Sequence, residues 1–216
     1  PLTAFFDANG NWLRGVTSLT ASPAHRQWNR TNCGTDRRQI FTSTGVALIP
    51  RFENKLLRWV ISDWSASSIF QYRTGSYLSV ASGGDVALIG GSTGGQTAVQ
   101  LSSDVYAPGR PSGPRAQYLN PSTNVFTPPQ NGFLSPNHGI RNIEGPPTWQ
   151  WDASISRTFD VREGQRLEFR VEGYNVTNSF RPQNPSTSLT STTNPFGVIN
   201  SAAASRDVQF AIKYVF

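Results

Sequence analysis

In the last twelve residues of the chain, 205–216, apolar side chains occupy every second position from Val208 onward, and Val215 is the one exception. This period is the pattern of a β-strand with one apolar and one polar face. It occurs in the closing strand of an outer-membrane barrel and also in an edge strand of a soluble sandwich, so this segment alone leaves both architectures open. The apolar positions of the segment are Val208, Phe210, Ile212, Tyr214 and Phe216.

The composition favours short amphipathic strands joined by long polar loops. Only 15% of the 216 residues are charged and 12% are aromatic, while the chain contains 19 glycines and 15 prolines. No segment reaches the roughly 18–20 apolar residues of a membrane-spanning helix, although barrel strands cross a membrane without such a run. Because the chain starts at Pro1 and contains no methionine, we expect it to be the C-terminal part of a longer protein.

The period-two pattern predicts five long strands and a short sixth element near 77–81. Short connections at about 50–56 and 162–164 alternate with long loops at about 74–147 and 179–204. Because successive strands run in opposite directions, all short turns lie at one end of the sheet and all long loops at the other, as in outer-membrane barrels. The predicted long strands are 38–49, 57–72, 149–161, 165–174 and 205–216.

We therefore predict an all-β fold, in which the chain is an antiparallel transmembrane β-barrel segment of about five to six strands. Periplasmic turns would be short, extracellular loops long, and the barrel incomplete within this chain. Residues 1–35 are predicted to be loop or a partial barrel strand, and residues 36–216 the C-terminal part of the barrel. The alternatives are a secreted soluble β-sandwich that acts as a binding or adhesion module, and a barrel that anchors or adheres without transport.

The hairpin at 149–174 has one favourable register, which pairs Phe159 with Leu167 on one face and Asp160 with Arg166 on the other. A glycine at the last position of its three-residue loop suits a type I turn followed by a bulge. The polar positions predict a charge ladder that faces the barrel lumen and could contact a plug. Its members are Asp160, Arg166, Glu168, Arg170 and Glu172.

Aromatic residues near both ends of the predicted strands suggest two interfacial belts. Near the long-loop end lie Trp149, Trp151 and Tyr174, and near the short-turn end lie Phe159, Tyr214 and Phe216. The simpler interpretation is the ordinary preference of aromatic residues for strands.

Residues 36–216 resemble the late barrel strands of TonB-dependent receptors of the Oar-like type. The resemblance rests on the order and spacing of several short segments rather than on any one of them. These include Asp36-Arg-Arg38, Trp151-Asp-Ala-Ser-Ile155, Leu167-Glu-Phe-Arg-Val-Glu172 and the ending Arg206-Asp-Val-Gln-Phe-Ala-Ile-Lys-Tyr-Val-Phe216.

The resemblance implies a 22-stranded barrel of the Gram-negative outer membrane that imports a nutrient with energy relayed by TonB. It further implies that Val208, Phe210, Ile212, Tyr214 and Phe216 form the signal read by the barrel-assembly machinery. The expected partners are outer-membrane lipid, that machinery, an N-terminal plug, TonB, and a small nutrient such as a siderophore, oligosaccharide or peptide. The plug, the TonB box and most barrel strands are absent from this sequence, so the plug and TonB would be reached through the rest of the protein.

Catalytic and cofactor sites are not predicted. Glu168 and Glu172 would be about 13 Å apart along a strand, too far for the paired carboxylates of glycoside hydrolysis. His25 and His138 are isolated, and Cys33 is the single cysteine, so no metal site is predicted. The net charge of +6 comes from dispersed arginines without a nucleic-acid-binding motif. We therefore expect neither an enzyme, nor a cofactor, nor a nucleic-acid partner.

Overall fold

The computed structural model describes residues 31–86, 96–131 and 142–216. Most of the segment 1–35, with its predicted loop or partial strand, lies outside the described residues, as do His25 and His138. In chain order the elements are β1 (Ile40–Leu48), α1 (Lys55–Val60), β2 (Trp64–Arg73), β3 (Tyr77–Leu78), β4 (Val99–Gln100), β5 (Phe126–Thr127), β6 (Ile143–Glu144), β7 (Thr148–Arg162), β8 (Gln165–Tyr174) and β9 (Asp207–Val215).

The five long strands form one antiparallel sheet in the order β1-β2-β7-β8-β9. Four of them match the predicted strands to within a few residues, and the all-β prediction is confirmed. Across the described residues the sheet is open, as an incomplete barrel requires.

The register of the β7–β8 hairpin is the predicted one. Phe159 faces Leu167 and Asp160 faces Arg166. Gly164 has a φ of 78°, in the left-handed region that the predicted turn requires. The register shifts between Asp160 and Arg162, which is the bulge beside the turn.

The predicted strand 57–72 is wrong over its first residues, because β2 begins only at Trp64 and α1 occupies Lys55–Val60. The side chain of Asn54 starts this helix: its Oδ1 accepts the Leu56 N–H at 3.0 Å, and its carbonyl accepts the Arg58 N–H at 2.8 Å. The buried Ser62 Oγ accepts the Phe52 N–H at 2.9 Å, and this bond joins the residues before and after α1. The connection between β1 and β2 is consequently longer than the tight turn predicted at 50–56.

Side chains alternate between the two faces of the sheet, and the register aligns like with like across β2, β7, β8 and β9. Exceptions include Ser68 and Arg157 on the apolar face, and Ile69, Tyr174 and Val215 on the polar face. The apolar face carries Trp64, Phe70, Trp149, Trp151, Ile155, Phe159, Leu167, Phe169, Val171, Val208, Phe210, Ile212 and Tyr214. The polar face carries Ser65, Ser67, Gln71, Asp152, Ser154, Ser156, Thr158, Asp160, Arg166, Glu168, Arg170, Glu172, Gln209 and Lys213.

The chain divides into two compact units. The sheet unit comprises Gln39–Arg73, Pro147–Arg181 and Ala203–Phe216, and the loop unit comprises the described part of Pro1–Arg38 with Thr74–Pro146 and Pro182–Ala202. The loop unit contains two small sheets, β3 with β6 and β4 with β5. Its core is Leu78, Val80, Ala98, Val105, Tyr118, Leu119, Val125, Phe126, Ile143 and Ile199.

The long loop predicted at 74–147 is therefore not structureless. Its regular elements are very short, but it packs around its own apolar core and recruits Ile199 from the second long connection. Gly75 and Gly145 lie so close that a Cβ on Gly75 would come within 1.8 Å of the Gly145 carbonyl oxygen. Only glycine fits at this contact, which brings together the two ends of the long segment.

Candidate functional site

The polar face of the sheet carries a run of alternating charges on β8. Arg170 Nη2 lies 2.7 Å from Glu168 Oε1, and Arg170 Nη1 lies 3.4 Å from Glu172 Oε1. On β9, Lys213 occupies the register position opposite Glu168. An open groove of about 310 Å³ lies over these residues and Ala211. The charges are mutually compensated while their side chains remain accessible to water or to a protein partner.

A second charged cluster lies on the same face near the turn end of the strands. Asp160 Oδ2 accepts a hydrogen bond from Arg51 Nη1 at 3.0 Å, and Asp160 Oδ1 lies 3.7 Å from Arg166 Nε. Arg51 Nε also lies 3.9 Å from Asp63 Oδ2. The structure thus divides the predicted ladder in two: Asp160 and Arg166 cluster with Arg51, and Arg170 pairs with Glu168 and Glu172. Arg51 was missed because it is 109 residues from Asp160 in sequence.

The large apolar side chains of this face are exposed or half-exposed across the sheet unit. Phe210 and Ile212 on β9 have 70% and 71% of their surface accessible, and Ile155 in the middle of β7 has 43%. A continuous apolar surface of this kind promotes association in water. It is the surface that a strand in a lipid bilayer must present.

Aromatic side chains form a row across the apolar face near the long-loop end. The ring centroids of Phe70 and Trp149 are 6.0 Å apart, and those of Phe41 and Phe70 are 6.3 Å apart. Trp151 lies in the same row and donates its indole N–H to Ser68 Oγ at 2.7 Å. Phe41 and Phe70 extend the predicted set, because β2 pairs with β7 and β1 pairs with β2.

Tyr174 does not belong with these residues. It pairs with Asp207, one position beyond the Gly173–Ala153 pair of the apolar face. Alternation therefore places Tyr174 on the polar face, whereas Trp149, Trp151 and Phe159 share the apolar face. The predicted belt at the long-loop end grouped Tyr174 with Trp149 and Trp151, and the register places Tyr174 on the opposite face from both.

The model of the family described as outer membrane beta barrel domain matches residues 4–209. The chain belongs to this family. Neither the curated proteins nor the solved structures include a significant match. An outer-membrane β-barrel domain is located in the outer membrane, and this explains the exposed apolar face, because in such barrels alternate residues face lipid and the interior. The long polar connections leave the sheet at the end that is extracellular in these barrels.

In this outer-membrane β-barrel domain, β9 is hydrogen-bonded to β8 at one edge of the five-stranded sheet. Val208, Phe210, Ile212 and Tyr214 lie on the apolar face. Phe216 follows the strand with 92% of its surface exposed, and its ring centroid is 5.9 Å from that of Tyr214. The five residues predicted to be the assembly signal are thus accessible along one edge of the sheet unit.

A buried polar turn follows β8, and the sequence patterns did not predict it. Asn175 is 1% exposed with a φ of 51°, and its N–H donates to Asp152 Oδ1 at 2.8 Å. Its Oδ1 accepts the Ser179 N–H at 2.9 Å, and its Nδ2 donates to the Ser179 carbonyl at 3.1 Å. Asparagine tolerates the left-handed backbone region better than most residues. An asparagine directly after the Gly-Tyr end of a strand was therefore the sequence signal from which a turn could have been predicted. The turn also includes Arg181, which donates to Gln150 Oε1.

The loop unit has a polar centre at Tyr118. The Tyr118 hydroxyl donates to the Glu144 carbonyl at 3.0 Å and accepts from Arg110 Nη2 at 3.0 Å. The Arg110 guanidinium stacks 3.6 Å above the Tyr106 ring, and the Tyr106 hydroxyl accepts the Glu144 N–H. Burial raises the pKa of Tyr118 above its usual value, although Arg110 opposes this shift.

Among residues 31–86, 96–131 and 142–216, no group of three histidine, cysteine or acidic side chains is arranged to hold a metal ion. No helix in this part of the chain has the length and hydropathy needed to cross a membrane.

Proposed function

We propose that this domain is the C-terminal barrel part of a TonB-dependent receptor in the outer membrane of a Gram-negative bacterium. Such a receptor takes up a siderophore, oligosaccharide or peptide with energy relayed from the inner membrane, and it is not an enzyme. The proposal places the plug and the TonB-contacting segment in the part of the protein that precedes this chain.

The observation that carries the proposal is the compensated charge run on the polar face of β8. Arg170 is shared between Glu168 and Glu172, and Lys213 faces Glu168 from β9. A large barrel holds either water or a plug in its interior. Exposed ion pairs contribute little free energy, about 0–1 kcal/mol each, and can exchange partners readily. Such a surface suits a plug that must be held in place and then moved.

The loop unit supports the ligand-binding part of the proposal. It is a folded body built from the long connections, with a core of its own. A ligand site built on packed elements is better ordered than one on loose loops. The described loop unit therefore supplies a scaffold on which exposed polar and aromatic side chains could recognise a small nutrient.

The test uses the full-length protein purified from outer membranes and the immobilised periplasmic domain of TonB from the same organism. We expect retention of the receptor, and loss of retention when the N-terminal segment that precedes the plug is removed. A full-length protein that neither binds TonB nor contains a plug would overturn the transport proposal. The same protein would then be an anchoring or adhesive barrel, because family membership does not depend on TonB.

A further inference from the structure

The short helix α1 is attached to the apolar side of the sheet. Arg157 lies on that face, where it pairs with Trp64 on β2 and with Phe169 on β8. Its Nη1 donates to the Val60 carbonyl at 3.2 Å and its Nη2 to the Arg58 carbonyl at 3.3 Å. The indole N–H of Trp64 donates to the same Val60 carbonyl at 3.0 Å. The C-terminal end of α1 is therefore held on the face that contacts lipid.

This attachment explains an arginine on a lipid-facing surface. A charged side chain there is unfavourable unless it reaches polar partners. The last carbonyls of a helix lack partners within the helix, and a cation at this end is also favoured by the helix dipole. The Arg157 guanidinium further lies 4.6 Å from the Phe159 ring centroid and 5.4 Å from that of Trp64.

The outward surface of α1 is amphipathic. Leu56 and Val60 are one turn apart and therefore share a face, and they are 77% and 54% exposed. Lys55 and Arg58, three residues apart, are also exposed. A soluble turn does not need two exposed aliphatic side chains beside two cations, whereas a helix lying in a membrane interface does.

We propose that α1 is an interfacial helix that binds anionic phospholipid headgroups of the periplasmic leaflet. Leu56 and Val60 enter the boundary of the acyl chains, and Lys55 and Arg58 contact lipid phosphates. Two observations select this partner: the helix continues the lipid-facing surface of the sheet, and its cations complement an anionic headgroup. Arg157 is a positioning residue that keeps the helix on this side. The proposal uses the membrane orientation of the family and is independent of transport and of TonB.

The position of α1 is tested by spin labels at Leu56→Cys and Lys55→Cys. The labels are placed in full-length protein lacking other cysteines, including Cys33, and reconstituted in vesicles containing phosphatidylglycerol. The label at position 56 should be more accessible to oxygen than to a water-soluble nickel chelate, and the label at position 55 should show the reverse. Equal accessibility to the nickel chelate at both positions would overturn the proposal. Arg157→Gln should increase the mobility of the label at 56, while Arg157→Lys should retain part of the constraint.

Lipid recognition is tested by native mass spectrometry of the full-length protein mixed with phosphatidylglycerol or phosphatidylcholine. The double variant Lys55→Gln/Arg58→Gln should lose the most tightly retained phosphatidylglycerol, with no change for phosphatidylcholine. The control, Arg38→Gln/Arg115→Gln, removes the same charge from two exposed arginines of the loop unit and should keep that lipid. An equal loss in the control would show that net charge rather than α1 binds the lipid. No loss in the α1 variant would show that α1 does not bind it, and either result would overturn the proposal.

Discussion

Ile155 and Val171 face each other across β7 and β8, and Ile155 is the central residue of the longest strand in the sheet. This pair marks the middle of the apolar face. Leu167, on the same face of β8, lies much closer to the turn and pairs with Phe159 and Tyr214. The depth of a lipid-facing residue can therefore be read from its distance along β8 from Gly164.

The first prediction is that the cost of a charge on the lipid-facing surface depends on the depth of the substituted residue. Val171→Arg should lower the free energy of unfolding by about 2–4 kcal/mol, because it places a charge at mid-span facing lipid. Leu167→Arg should have a smaller effect, since a long side chain near the turn can reach the headgroups. Glu172→Gln, next to Val171 but on the polar face, is the control and should have little effect. Denaturant unfolding of the full-length protein in vesicles measures all three, and equal tolerance at 171 and 172 would mean that Val171 does not face lipid.

The second prediction concerns assembly through the terminal strand. Phe216→Ser should abolish insertion of the full-length protein and cause a periplasmic precursor to accumulate, if this aromatic residue is read by the assembly machinery. Val215→Ser is the matched control, because Val215 is adjacent but pairs with Arg166 on the polar face. Membrane fractionation with immunoblotting reports the outcome. Normal insertion of the Phe216 variant would show that the assembly machinery does not require this residue.

The third prediction concerns the buried turn at Asn175. Asn175→Gly retains a residue that accepts a φ of 51° but loses the hydrogen bonds to Ser179, whereas Asn175→Ala loses both features. Both changes should destabilise the turn, with Ala costing more than Gly, and about 1–3 kcal/mol is expected for the lost buried polar contacts. Hydrogen exchange of the Ser179 amide measures the effect. Unchanged protection in Asn175→Ala would contradict the prediction.

The fourth prediction is alkaline destabilisation of the loop unit through Tyr118. Its folded-state pKa is raised by burial, so it contributes stability that is fully present below the unfolded value near 10 and is lost as the pH rises through the folded value. Tyr118→Phe should remove this part of the pH dependence, while Tyr77→Phe in the same unit should leave it in place. Thermal unfolding followed by near-ultraviolet circular dichroism between pH 8 and 12, a range that brackets the tyrosine pKa, tests this. The same alkaline loss in both variants would exclude Tyr118 as its source.

The sheet could be predicted from the sequence wherever alternation was strict on both strands of a pair. The predicted β7–β8 register was confirmed. It was predictable because a slip of one residue would place Leu167 or Val171 opposite polar residues. Helix α1 was missed because a single turn of helix shows no 3.6-residue period, and it depends on the Asn54 cap and on Arg157 from a distant strand. Long-range contacts of this kind leave no local pattern.

The loop unit was missed for a related reason. Its core residues, such as Val80, Leu119 and Ile199, are spread over two connections and follow neither a two-residue nor a 3.6-residue period. Irregular backbone can still bury apolar side chains when its N–H and C=O groups find partners elsewhere in the same unit. Examples are the bonds from Ala98 N to the Val80 carbonyl and from Ile199 N to the Ala116 carbonyl. The frequency of glycine and proline indicated loops correctly but carried no information about their packing.

The two neighbours of β7 are separated from it by very different lengths of chain, and we expect an order of folding from this difference. β8 follows across a tight turn, whereas β2 reaches β7 only after the segment 74–147 has been closed. Closing the short loop costs less chain entropy and is faster, so we expect the β7–β8 hairpin to form before β2 pairs with β7. Within the loop unit, Gly145 N donates to the Ser76 carbonyl at 2.8 Å, so folding of that unit joins the ends of the long segment. We therefore expect β2 to dock on β7 more readily after the loop unit has folded than before.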